Sequence, residues 1–151
     1  MLYDRKPSHG SGYLLWRISN LWQRKINDLL SEHDITHVQY LLLATISWMQ
    51  DQEQKINQES LANQSQSHKM MTSKVIRKLE KMGYVTRYKD PVDTRARLIR
   101  LTPEGLEKYI HVKELFKVED ANFFGKIENN RFSMNRILTD MIQEYQPISA
   151  I

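Results

Sequence analysis

Cysteine is absent from this 151-residue chain. That one absence removes disulfides, thiol nucleophiles, cysteine-based zinc sites and thiol redox sensing together. Glycine and proline are scarce, at five and four residues, which favours helices with short connections over a many-turned β fold. Long apolar runs are missing too. The longest, Val38 to Met49, is broken by Gln39, Thr45 and Ser47, well short of the roughly 20 apolar residues that a membrane span needs. The first residues (Met1, Leu2, Tyr3, Asp4, Arg5, Lys6) hold no apolar signal core, so a soluble, unexported, cytoplasmic protein with no membrane partner is expected. No Gly-rich phosphate loop, Gly-x-Ser-x-Gly or His-Glu-x-x-His occurs, so neither an enzyme nor a cofactor is expected. What is present, 40% hydrophobic and 26% charged residues, suffices for the core of one ordinary domain.

Charge is unevenly spread. The net value is +4, but Leu61 to Thr102 alone holds ten Lys or Arg against three Asp or Glu. A basic middle in a slightly acidic frame suggests a surface that meets a polyanion, although a merely solvated Lys-rich face has the same composition.

Apolar residues recur at three- and four-residue steps from about Ser11 to Glu32 (Leu14, Leu15, Ile18, Leu21, Trp22, Ile26, Leu29, Leu30), predicting a long helix that needs a covering partner. Thr36 and Gln39 fit a capping box at the start of a second helix, with Ile35 and Tyr40 at the staple positions. Lys55-Ile56-Asn57 is long enough only for an edge strand. Two short helices follow, Gln58 to about Asn63 and Ser67 to about Met82, with Ser67 as N-cap and Gly83 past the C-terminus. Tyr84 to Lys89 and Arg97 to Thr102 then alternate apolar with basic residues as a half-solvated hairpin does. The residues between them, Asp90 to Thr94, carry turn chemistry. Thr102-Pro103 starts a helix to about Lys126, and a last helix runs from about Asn130 to Tyr145.

This order predicts a mostly α fold with a small β wing, centred on a winged helix-turn-helix. In the recognition helix Thr72, Val75, Ile76 and Leu79 share one face, leaving Lys69, Ser73, Lys74 and Arg77 outward. In the wing, Arg95 sits on the turn, where an Arg can enter the minor groove, with Arg97 and Arg100 on the returning strand. Asp93 is placed either to orient the Arg95 guanidinium or to make a surface ion pair of little worth. Met70 is a large apolar residue at an outward position, expected to cover the preceding helix in preference to meeting a thymine methyl. His68, ahead of the helix, is a candidate phosphate donor. His33 and His37 stand four apart beside Glu32 and Asp34. Thr36 starts a new helix between them, so they do not share a face and no metal is expected.

Glu59-Ser60-Leu61-Ala62, the stretch Ser67 to Val85, and Asp93-Thr94-Arg95-Ala96 through Leu101-Thr102-Pro103-Glu104-Gly105 resemble the MarR family of bacterial transcription regulators. The resemblance is specific from about Thr36 to Gly105. It implies one domain over 1–151, with a DNA-binding lobe at 36–102 and dimerisation helices at 1–35 and 103–151. It further implies a homodimer on pseudo-palindromic double-stranded DNA, acting as a repressor. His68, Lys69, Ser73, Lys74, Arg77, Asp93, Arg95 and Arg97 are then the DNA-binding set, with Arg95 in the minor groove. The family's response to small aromatic anions makes Tyr13, Trp16, Tyr40, Trp48 and His111 the candidates to line a ligand pocket. Aromatics at helical spacing also describe a core, and this set brings no evident carboxylate partner. The competing readings are an architectural or non-specific DNA-binding protein and a winged-helix protein-interaction module.

Overall fold

The computed structural model describes residues 10–145, which fall into two compact units dividing between Phe116 and Lys117. The first holds α1 (Ser11–Ser31), α2 (His37–Asp51), α3 (Gln58–Gln64), α4 (Lys69–Lys81), β1 (Val85–Lys89), β2 (Arg97–Leu101) and most of α5 (Pro103–Phe124). The second holds the end of α5, a 3-10 segment (Gly125–Asn130) and α6 (Arg131–Tyr145). The mostly α fold with a two-stranded wing is as expected.

Local chemistry sets the helix ends. Thr36 and Gln39 form the capping box at α2: the Gln39 N–H donates to Thr36 Oγ1 at 3.2 Å and the Thr36 N–H donates to Gln39 Oε1 at 2.9 Å. Such a cap contributes about 1 kcal/mol. A second box, Asn57 with Ser60, opens α3. It stands where an edge strand was expected. The extended residues before it contribute only one sheet-like bond, from the Ile99 N–H to the Ile56 carbonyl at 2.7 Å.

Four helices stop alike, each with one residue in the left-handed region: Asp34, Glu53, Gln66 and Gly83, at φ of 55°, 55°, 56° and 78°. Only one is glycine, the residue that adopts this conformation without strain. The N–H of the next residue reaches back to the closing turn, as from Ser67 to the Ala62 carbonyl and from Tyr84 to the Leu79 carbonyl. This corrects the expected start of the recognition helix. Ser67 is spent closing α3, its hydroxyl lies 3.4 Å from the Ser65 carbonyl, and His68 becomes the N-cap without a side-chain bond.

The core lies in the first unit. Ile26 and Leu30 of α1, Leu42, Leu43 and Ile46 of α2, Leu61 of α3 and Ile76 and Leu79 of α4 are fully buried. Val85, Ile99 and Val112 complete the core from the wing and α5. Burying each such side chain contributes about 1.5–3 kcal/mol. Thr72 is buried among them, its hydroxyl satisfied by the His68 carbonyl at 3.1 Å.

In the second unit, α5 ends at Phe124, two residues before the expected Lys126, and the 3-10 segment bends at Ile127. Arg131 pairs with Asp120 at 2.5 Å and lies over the Phe124 ring. No residue of α6 is buried. No helix among the described residues is long and apolar enough to cross a membrane.

Candidate nucleic-acid interface

The helix-turn-helix is α3, the turn at residues 65–68, and α4. With Thr72, Ile76 and Leu79 facing the core, Lys74, Arg77 and Lys81 form an exposed stripe on the opposite side. The Arg77 guanidinium donates to Ser73 Oγ at 2.9 Å, so these two act as a unit. Lys69 is outward and exposed as well, but its ammonium pairs on the surface with Glu59 of α3 at 2.7 Å and holds that carboxyl below its usual pKa. Met70 covers nothing. It is 88% exposed, which overturns the packing role expected for it.

Arg87 of β1 donates twice to Glu80 at the end of α4, at 3.0 and 2.6 Å. Those bonds lower the Glu80 pKa and raise that of Arg87. They consume both charges, leaving Lys74, Arg77, Lys78 and Lys81 as the α4 cations without an ion pair to a described residue.

The wing is an antiparallel hairpin in the register Val85↔Leu101 to Lys89↔Arg97. Its burial is less regular than strict alternation predicts, since Leu98 and Ile99 are both buried. Gln50 of α2 explains part of the anchoring, its Oε1 accepting the Leu101 N–H at 2.8 Å. Asp90 explains the rest. Its carboxylate accepts the Val92 N–H at 2.8 Å and the Lys55 ammonium at 3.0 and 3.2 Å. Those bonds, the backbone one first, lower its pKa. The loop is therefore built around a buried carboxylate that turn composition did not single out.

Asp93 serves the backbone as well. Its carboxylate accepts the Arg95 N–H at 3.1 Å and its carbonyl accepts the Ala96 N–H at 2.9 Å. The expected pairing with the Arg95 guanidinium is not made, because the side chain is engaged in shaping the turn. Arg95 and Arg97 are exposed, and Arg100 lies over the Tyr88 ring at 5.0 Å.

The ligand-pocket candidates do not converge. Tyr13 and Trp16 sit together, ring centroids 5.9 Å apart, in a small cleft on α1 that also includes Arg17 and Arg24. Tyr40 is core, stacked on Phe116 at 4.8 Å, and burial pushes its hydroxyl up to about 12. Trp48 is 47% exposed on α2. His111 borders a shallow apolar depression on α5 with Leu106 and Ile110. His33 packs edge-on against His111 at 5.2 Å, while His37 turns to Trp22 and Phe116. Among the described residues no three metal-ligating side chains gather.

Residues 35–96 match the sequence profile of the MarR family. YdcH of Bacillus subtilis, an uncharacterized HTH-type transcriptional regulator, is 40% identical over 119 residues, covering 79% of this chain and 81% of YdcH. SarZ of Staphylococcus haemolyticus, an HTH-type transcriptional regulator, is 31% identical over 129 residues, 85% of this chain and 82% of SarZ. The structure of S. aureus MepR in complex with DNA superposes with a TM-score of 0.79 at 25% identity, over 93% of this chain and 100% of MepR.

Proposed function

The chain belongs to the MarR family, and from that premise we propose that it is a cytoplasmic homodimeric repressor of a pseudo-palindromic operator. The observation that carries the reading is the pairing of an exposed basic stripe on α4 (Lys74, Arg77, Lys81) with an exposed Arg95 on a wing anchored by Asp90. A helix of that charge suits the major groove, and a turn-borne Arg suits the electronegative minor groove. His68, Lys69, Ser73, Lys74, Arg77, Asp93, Arg95 and Arg97 have distinct tasks here. Lys74, Arg77, Arg95 and Arg97 meet DNA directly, and Ser73 orients Arg77. Asp93 shapes the turn that presents Arg95. His68 stands at the N-terminus of α4, where a phosphate is favoured. Lys69 reaches a phosphate by leaving Glu59.

The homodimer is supported by apolar surface that the single chain leaves open. On α1, Leu14, Leu15 and Trp16 are more than half exposed; on α6, Phe132, Ile137 and Ile142 are too. A second copy would cover such surface by two-fold symmetry and present two recognition helices. Release by a small aromatic anion belongs to the same proposal. Tyr13 and Trp16 have Arg17 and Arg24 beside them, which supplies the carboxylate partner missing from the sequence reading.

The test is selection of binding sites by the purified protein from a random duplex library. Enrichment of an inverted repeat with half-sites about one helical turn apart is expected. DNA retention with no enriched motif would leave only phosphate binding, and the operator reading would be wrong.

A further inference from the structure

Met70 is the most exposed large apolar side chain of the DNA-binding lobe, at 88%. Single exposed apolar residues are ordinary and need no explanation in themselves. Its position is what sets this one apart. Met70, Lys74, Arg77 and Lys81 follow at i, i+4, i+7 and i+11, one stripe opposite the buried Thr72, Ile76 and Leu79. The stripe is cationic except at its N-terminal end. There the two polar neighbours are engaged, Lys69 with Glu59 and Ser73 with Arg77. The helix therefore presents a free thioether at its leading turn.

We propose that Met70 reads thymine, its side chain seated against the C5-methyl of a thymine in each half-site. This rests on the DNA-reading role of α4 proposed above and deepens it. In a helix-turn-helix the N-terminal residues of the recognition helix meet base edges, while cations further along meet phosphates. The major groove offers hydrogen-bonding atoms at every base pair but one apolar group, the thymine methyl. An unbranched, polarisable thioether adapts to such a contact with no partner to satisfy.

The experiment uses the full chain and the duplex enriched from the random library. Each thymine is replaced in turn by deoxyuracil, which removes the methyl and nothing else. Wild-type affinity should fall about fourfold at one thymine per half-site, the factor for burying one methyl-sized group. The fall should vanish in Met70→Ala and Met70→Gln and persist in Met70→Leu. The salt dependence of binding should be the same in wild type and Met70→Ala, because no phosphate contact is lost. No thymine with a methyl effect, an effect that survives in Met70→Ala, or a reduced salt slope would each overturn the assignment while leaving the operator reading standing. Failure to enrich any motif would overturn both.

Discussion

Helices α4 and α6 are nearly equal in length, 13 and 15 residues, and α6 carries the more bulky apolar side chains. Yet α4 buries Thr72, Ile76 and Leu79, and α6 buries nothing. Composition therefore does not decide burial; the presence of a facing surface does. In α4 the apolar face meets α2, α3 and the wing, and the outward face is free to be basic. In α6, Leu138, Met141, Ile142 and Tyr145 line one face at i, i+3, i+4 and i+7, and all four are exposed. One helix packs its apolar face within the chain and displays charge; the other leaves its apolar face exposed.

The largest effect should come from attacking that unfinished face. Met141→Glu places a charge in the middle of the stripe, which opposes burial against a second copy. The protein should shift from dimer to monomer in light scattering, and operator affinity should fall by about 10²-fold or more, since each monomer then holds one half-site. Unfolding of the lobe followed by circular dichroism should still be cooperative, because its core lies in α1 to α5. An unchanged mass and affinity would mean that α6 is not covered by a second copy.

The next effect lies on the completed side. Gly105 stands in the first turn of α5, where an added Cβ would collide with the Tyr84 backbone carbonyl. The same corner is tied by Thr102, whose hydroxyl donates to the Gly83 carbonyl at 2.5 Å and accepts the Gly105 N–H at 3.0 Å. Gly105→Ala should cost about 1–3 kcal/mol, as overpacking against backbone does. It should lower the midpoint of denaturant unfolding without changing the mass of the particle measured by light scattering. Wild-type stability in this variant would show that the corner can spread.

A third effect concerns the charged surface. Arg95→Ala removes an exposed side chain from a turn held by Asp90 and Asp93, so fold and dimer should be intact. Operator affinity should drop about tenfold, the scale of one hydrogen bond to a charged group. No loss would sink the minor-groove role.

These contrasts show which parts of the molecule were legible in the sequence. The Thr36–Gln39 box and Gly83 were readable because each is a local device with fixed spacing. The element order and the basic stripe of α4 followed from periodicity. Closure of α3 by Gln66 was not readable, since glutamine rarely adopts a left-handed conformation, and Ser67 accordingly looked like a cap. Lys55 with Asp90 and Glu59 with Lys69 were invisible for another reason. Their separations of 35 and 10 residues mean that only the tertiary fold brings them together. Gly105 was visible as part of a motif, but its reason, the approach of Tyr84, appears only in three dimensions. Met70 was placed outward correctly and given the wrong task, because periodicity gives direction and not what lies there.

The smallest effect tests whether the covered side is closed in solution. His37 packs edge-on against Trp22 at 5.4 Å and lies 6.1 Å from Phe116, and burial lowers its pKa from 6.5. The folded state therefore binds fewer protons than the unfolded chain just below that value, and stability rises with pH there. The contribution is complete above the unfolded pKa and is lost as pH falls toward the folded one. Glu59, Glu80 and Asp90, whose pKa values are also lowered, act only in the more acidic carboxylate range. Between about pH 7.5 and about pH 5.5 the melting temperature of the wild type should thus decline more steeply than that of His37→Gln. Parallel declines would mean that water reaches the imidazole freely, and that the aromatic seam of Trp22, His37 and Phe116 is open where α4 and its neighbours are closed.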